Sequence, residues 1–161
     1  MAGLKATDLD IRGHHLPYEL WMLQSSYLRL AKCRLEPVIA NALIESFCIH
    51  ARLLIEFFSN QQGCRAEEFT GGVYMAVHLG SLRKEVVKLN TQIAHLTRAR
   101  TTIPDEKIGP VDRLKWLKAL EREAGNFSVH LAPQFKGMFT PPMPLIAITN
   151  ERPWNITAPN S

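Results

Sequence analysis

Cysteine is scarce. The three thiols, Cys33, Cys48 and Cys64, are odd in number and widely spaced, with no Cys-x-x-Cys pair and no local histidine at zinc-binding distance. Reduced thiols in a cytoplasmic protein are the simplest expectation. Clustered aspartates are also missing, which removes the ligands that a two-metal nuclease needs. No phosphate-gripping Gly-rich loop and no GxGxxG occurs, and the serine-hydrolase and thiol-protease patterns are absent. No run reaches the roughly 20 apolar residues of a membrane helix, because Glu45, His50, Arg52 and Glu56 interrupt the most hydrophobic stretch, Leu43 to Phe58. That stretch is predicted to be a core helix with no membrane partner. The opening MAGLKATDLDIRGHH lacks an apolar core of signal-peptide length, and Asp8 and Asp10 speak against a transit peptide, so the expected location is cytoplasmic. Without a secretory signal, the Asn126-Phe-Ser and Asn155-Ile-Thr triplets read as coincidental glycosylation matches. Internal repeats, long heptad runs and low-complexity tracts are lacking too.

What is present is enough for one packed core. The chain has 161 residues, 46% of them hydrophobic, and a formal net charge of +4, which favours acidic partners without choosing among them. A first helix is predicted from about Pro17 to Lys32, where Leu16, Leu20, Leu23, Tyr27 and Leu30 recur at helical spacing and a proline suits the first turn. A second follows Glu36-Pro37, with Ile39, Leu43, Phe47, Leu54 and Phe57 in one stripe, until Ser59-Asn60-Gln61-Gln62-Gly63 stops it. Residues 60 to 72 read as a polar connection closed by Gly71-Gly72. A short helix around Val73 to Leu79 is predicted next. A third long helix should run from about Ser81 to Arg100 on Leu82, Val86, Leu89, Ile93 and Leu96, and a fourth from near Pro110 toward Leu131, with Gly125 a weak point. The fold class is therefore all-α, a four- to five-helix bundle over residues 1–135. Residues 136–161 form an extended Pro-rich C-terminal tail, anchored by Phe139 and Trp154 or free to order against a protein partner.

Chemically versatile residues cluster in two places, His50-Ala51-Arg52 and His95-Leu-Thr-Arg98-Ala-Arg100. At about 100° per residue, His50 falls within the apolar stripe of its helix and Arg52 almost opposite, with Asn41, Glu45 and Glu56. His50 therefore reads as a core histidine with satisfied ring nitrogens, and Arg52 as an ion-pair partner of Glu56 one turn on. On the third helix, His95 lies off the apolar stripe beside Lys88 and Gln92, and Arg98 lies one turn further. Arg100 complements the negative helix end. Such a face is either simply solvated or able to do phosphate chemistry, with the histidine moving a proton and neighbouring cations stabilising a phosphorane.

Lys88-Leu-Asn-Thr-Gln-Ile-Ala-His95, late in a helical bundle, resembles the motif of the HEPN superfamily of small α-helical domains, many of them metal-independent ribonucleases. The likeness spans roughly residues 17 to 131. The family's motif places an arginine, often with a polar residue after it, four to six residues before a histidine. Here lysine stands at the arginine and Asn90 is displaced from the polar position. Residue by residue the resemblance carries over His95 as the family's histidine and Lys88 at its arginine, and it implies a ribonuclease or an RNA-binding relative without cleavage, RNA as partner, a homodimeric site, and no metal or other cofactor. With the neighbouring cations added, the candidate catalytic set is His95, Arg98 and Lys88, and the candidate substrate contacts are Arg52, Arg100 and Asn90. The reading from another class is a non-catalytic helical interaction module whose polar faces only pair helices.

Overall fold

The computed structural model describes residues 14–61, 63–89 and 107–145. Within them the protein is all-α, with four α-helices and no strand. Helix α1 spans Leu16–Lys32 and α2 spans Pro37–Phe58, each with a proline in its first turn. At that position the missing N–H is no loss. Helix α2 stops at Ser59, and Asn60 follows in the left-handed conformation (φ 54°), which asparagine tolerates at a helix end. The side chain of Asn60 then accepts the Glu67 N–H at 2.8 Å, fixing the exit of the chain.

Helices α1 and α2 pack antiparallel, with Ser26 Oγ against Ser46 Oγ at 3.3 Å and Glu19 against His50 further along. Small serines at the crossing let the backbones come close. The first turns of α2 overhang the bundle, since Val38 is 74% exposed and Ile39, expected on the buried stripe, is 48% exposed. By length and composition α2 is the one described helix that would suit a membrane crossing. Its Phe47, Ala51, Leu54 and Phe58 nevertheless line the core.

The polar connection expected at residues 60–72 contains a 3-10 turn, Ala66–Phe69, whose two end residues are buried. Residues 73–79 are not the short helix that the sequence suggests. Val73, Met75 and Val77 point outward while Tyr74 and Ala76 turn toward the protein, the period-two alternation of an extended segment. A second 3-10 turn, Gly80–Leu82, leads into α3, Arg83–Leu89. The continuation of α3 expected as far as Arg100 lies outside the described residues.

Helix α4 spans Pro110–His130 and passes through Gly125 without a break. Its start is capped by Asp112, which accepts the Gly109 N–H at 2.8 Å, with Pro110 at the first position. The inner face brings Trp116, Leu117, Leu120, Ala124 and Phe127 into the core. Phe127 is fully buried, and its ring meets Phe57, Phe58, Phe69, Tyr74 and Phe139 at centroid distances of 5.4 to 6.4 Å, mostly edge to face. Truncating such a residue costs about 3–5 kcal/mol. After α4 a 3-10 turn, Pro133–Phe135, sets Phe135 on Phe69, and the chain crosses back so that Phe139 and Leu145 are buried. Phe139 thus anchors the start of the Pro-rich segment, and Trp154 lies outside the described residues.

Candidate nucleic-acid interface

The three carboxylates of α4 are all engaged away from open solvent, each for its own structural reason. Glu123, fully buried, accepts hydrogen bonds from Tyr74 Oη at 2.5 Å, the His78 N–H at 2.7 Å and Asn126 Nδ2 at 2.8 Å. It thereby ties the 73–79 segment to one flank of α4. On the other flank Glu121 Oε1 accepts from Gln24 Nε2 at 2.8 Å and from the Leu145 N–H at 2.9 Å, while Gln24 also donates to the Met143 carbonyl. The second Glu121 oxygen is buried without a partner. Asp112, at the N-terminal end, binds Lys88 Nζ at 2.9 Å. Burial raises the Asp112 carboxyl, but the Lys88 and Gly109 hydrogen bonds and the charges of Lys88 and Arg113 outweigh it and hold the group below its ordinary 3.8.

The cations of the same helix sort the other way. Only Arg113 is buried, donating to the Ile108 carbonyl at 3.0 Å, with burial pulling its guanidinium below the usual range. Lys115, Lys118 and Arg122 recur at helical spacing on the outer face, between exposed Val111 and Val129. Neither Lys118 nor Arg122 is drawn into an ion pair or hydrogen bond. The outer face of α4 is therefore a basic stripe with no competing acid from its own helix. Sequence reasoning missed it because Glu121-Arg122-Glu123 reads as a mixed-charge surface run in which the acids outnumber the cation. The missed signal is the wheel, which sets both glutamates beside the apolar arc and Arg122 opposite it.

The residues singled out from sequence divide among separate places. His50 is where its helical position puts it, 9% exposed, with Nδ1 on Glu19 Oε2 at 2.5 Å. Arg52 pairs with Glu56 at 2.8 Å along the half-exposed side of α2, an interaction worth about 0.3–0.5 kcal/mol. Lys88 bonds to Asp112, so its charge serves the cap of α4. Asn90, His95, Arg98 and Arg100 lie outside the described residues.

Arg52 and Glu56 border a groove of about 460 Å³ whose apolar walls are Cys48, Ile49, Leu53 and Leu89, with Glu45 at the end. The groove lies where α3 meets α2, at the residue that precedes the Asn90–Arg100 stretch. Its thiol is not a nucleophile: burial, partly opposed by the Arg113 charge, pushes Cys48 from 9.0 up to about 12. Among the described residues no three of histidine, cysteine, aspartate and glutamate converge as metal ligands. No known protein family matches the chain, and no curated protein or solved structure does so either.

Proposed function

We propose that this protein binds RNA, with the outer face of α4 as its phosphate-contacting surface. The observation that carries this reading is the row of Lys118 and Arg122, without an ion-pair partner among the described residues, because Glu121 and Glu123 are turned inward. Such a row attracts a polyanion whatever its sequence, through release of the ions condensed on it. Two phosphate contacts on a single strand give a slope of log K against log salt of about −1.4, which is about a 7-fold loss of affinity between 50 and 200 mM salt. Lys118→Gln with Arg122→Gln should flatten that slope by about 1.4 while the fold is retained. Binding with no salt dependence, or an unchanged slope in the double variant, refutes the assignment.

The HEPN resemblance adds a ribonuclease reading in which His95 moves the proton, Lys88 and Arg98 stabilise the phosphorane, and Arg52, Arg100 and Asn90 hold the substrate. With Lys88 bonded to Asp112, the burden of charge stabilisation in that scheme falls on Arg98. His95→Ala should abolish metal-independent cleavage without weakening RNA binding by more than a few-fold, and persistent cleavage sinks this form. The groove over Ile49 and Leu53 favours the interaction-module reading, in which a second copy or another protein covers it. Leu53→Asp then shifts the protein to monomer in sedimentation equilibrium and leaves RNA affinity intact.

A further inference from the structure

A second cluster sits away from the stripe, on the outer side of the α1–α2 pair. Tyr18 and Trp21 are 49% and 58% exposed, and their rings meet at 6.2 Å with planes 40° apart. Aromatic side chains left this open on a helix surface lose the burial that normally justifies them. Trp21 has no hydrogen-bond partner and no ring contact other than Tyr18. The His50 and Tyr18 ring centroids lie 5.8 Å apart at an interplanar angle of 80°.

His50 is held by one nitrogen only. Its Nδ1 is on Glu19, and a carboxylate there accepts, so in the neutral ring Nδ1 carries the hydrogen and Nε2 presents a lone pair. Nε2 has no partner and is not sealed from water, since Glu121 Oε2 is the one buried unpartnered polar side-chain atom among the described residues. The pair of α-helices thus offers two open aromatic faces and one oriented acceptor at their edge.

We propose that Tyr18, Trp21 and His50 form a base-recognition platform for single-stranded RNA, on which a purine stacks on the exposed Trp21 ring with the tilted Tyr18 ring at its side while its exocyclic amine donates to His50 Nε2. An aromatic platform is the usual complement to a basic track in single-strand binding, because every base has a π face. An adenine supplies the donor that Nε2 asks for, and a uracil has no exocyclic amine to give. This inference rests on the RNA reading above but uses none of the α4 residues.

Trp21 reports on the site directly. The chain has three tryptophans; Trp116 is fully buried, and a Trp154→Phe background removes the third. In that background AMP and oligo(A) should quench the fluorescence saturably, oligo(U) should do so more weakly, and inorganic phosphate should not. Trp21→Ala should weaken oligo(A) binding by about 5- to 150-fold, the range expected for one lost stacked base, and Trp21→Phe should restore much of it. His50→Leu, which has no acceptor, should erase the preference for oligo(A) over oligo(U). Circular dichroism of each variant checks that the helices persist.

If oligo(A) binds with a normal salt slope but neither quenches Trp21 nor weakens in Trp21→Ala, the platform is overturned and the α4 reading stands. If no oligonucleotide binds at low salt, the α4 reading fails and the RNA platform fails with it, even where AMP still quenches Trp21. Equal quenching by AMP and by inorganic phosphate overturns it.

Discussion

Replacing Glu123 tests how the 73–79 segment is held, because one buried side chain gathers three donors from outside the helix ladder. Two of them, Tyr74 Oη and the His78 N–H, have no other recorded acceptor, while Asn126 also reaches the Met75 carbonyl at 3.4 Å. Each buried donor stripped of its acceptor costs about 1–3 kcal/mol. Glu123→Ala should therefore lose about 3–5 kcal/mol, partly offset by no longer burying a carboxylate. In a chain of this length that lowers Tm by about 6–15 °C. Glu123→Gln should cost less, about 1–3 kcal/mol, because its oxygen can keep Tyr74 and Asn126 while its amide opposes the His78 N–H. The decisive measurement is a double-mutant cycle by urea unfolding. Tyr74→Phe should cost about 1.5–3 kcal/mol alone, as expected for a bond to a charged acceptor, and close to nothing beside Glu123→Ala. A Tyr74→Phe cost that is the same in both backgrounds refutes the reasoning. The same pair is visible spectroscopically: burial first, then the Glu123 hydrogen bond and charge, hold the Tyr74 phenol above its ordinary 10.0, so Glu123→Ala should make one tyrosine ionise at lower pH.

Three further outcomes follow from local geometry. Gly125 lies inside α4 with nothing within 4 Å of an added Cβ, so Gly125→Ala should stabilise the protein by about 0.5–1 kcal/mol in thermal or urea unfolding. In native protein at pH 8, iodoacetamide should modify exposed Cys33 and spare Cys48, whose thiol burial pushes to about 12; mass spectrometry showing early Cys48 modification would contradict that burial. Asp112 has a folded-state pKa below its ordinary 3.8, so its contribution is fully present above that value and is lost as pH falls through the lower folded value. The stability gap between wild type and Asp112→Asn should shrink over that acid range and stay flat from pH 5 to 7.

Local signals were the legible ones. Pro17, Pro37, Asn60 and Pro110 mark helix ends through rules that act over a single turn, and α1, α2 and α4 begin and end beside them. His50 could be assigned to the inner side of α2 by angle alone. The 73–79 segment could not be read this way, because its polar groups are satisfied by Glu123, 49 residues beyond Tyr74, and no window of sequence contains both. Glu121 was hidden for the same reason, its partners being Gln24 on α1 and Leu145 near the end of the described chain. Once both glutamates face inward, Lys118 and Arg122 are left without an ion-pair partner among the described residues, so the α4 surface depended on contacts that periodicity does not encode. Lys88 illustrates the converse, a residue with the right spacing for a phosphate contact whose charge a distant aspartate has taken up. His95, Arg98, Arg100 and Asn90 fall outside the described residues and keep the standing their motif gives them.

The Glu121 staple bears on the order in which this protein can be built. It joins Gln24 of the first helix to the backbone of Met143 and Leu145, and Phe139 lies against Phe127 in the same closing layer. During vectorial synthesis α1, α2 and α4 can meet as soon as His130 has emerged, yet Glu121 then waits with one donor in place of its full set. The bundle is sealed only when residue 145 arrives, so closing the core comes after formation of α1, α2 and α4 and depends on a segment that belongs to none of them.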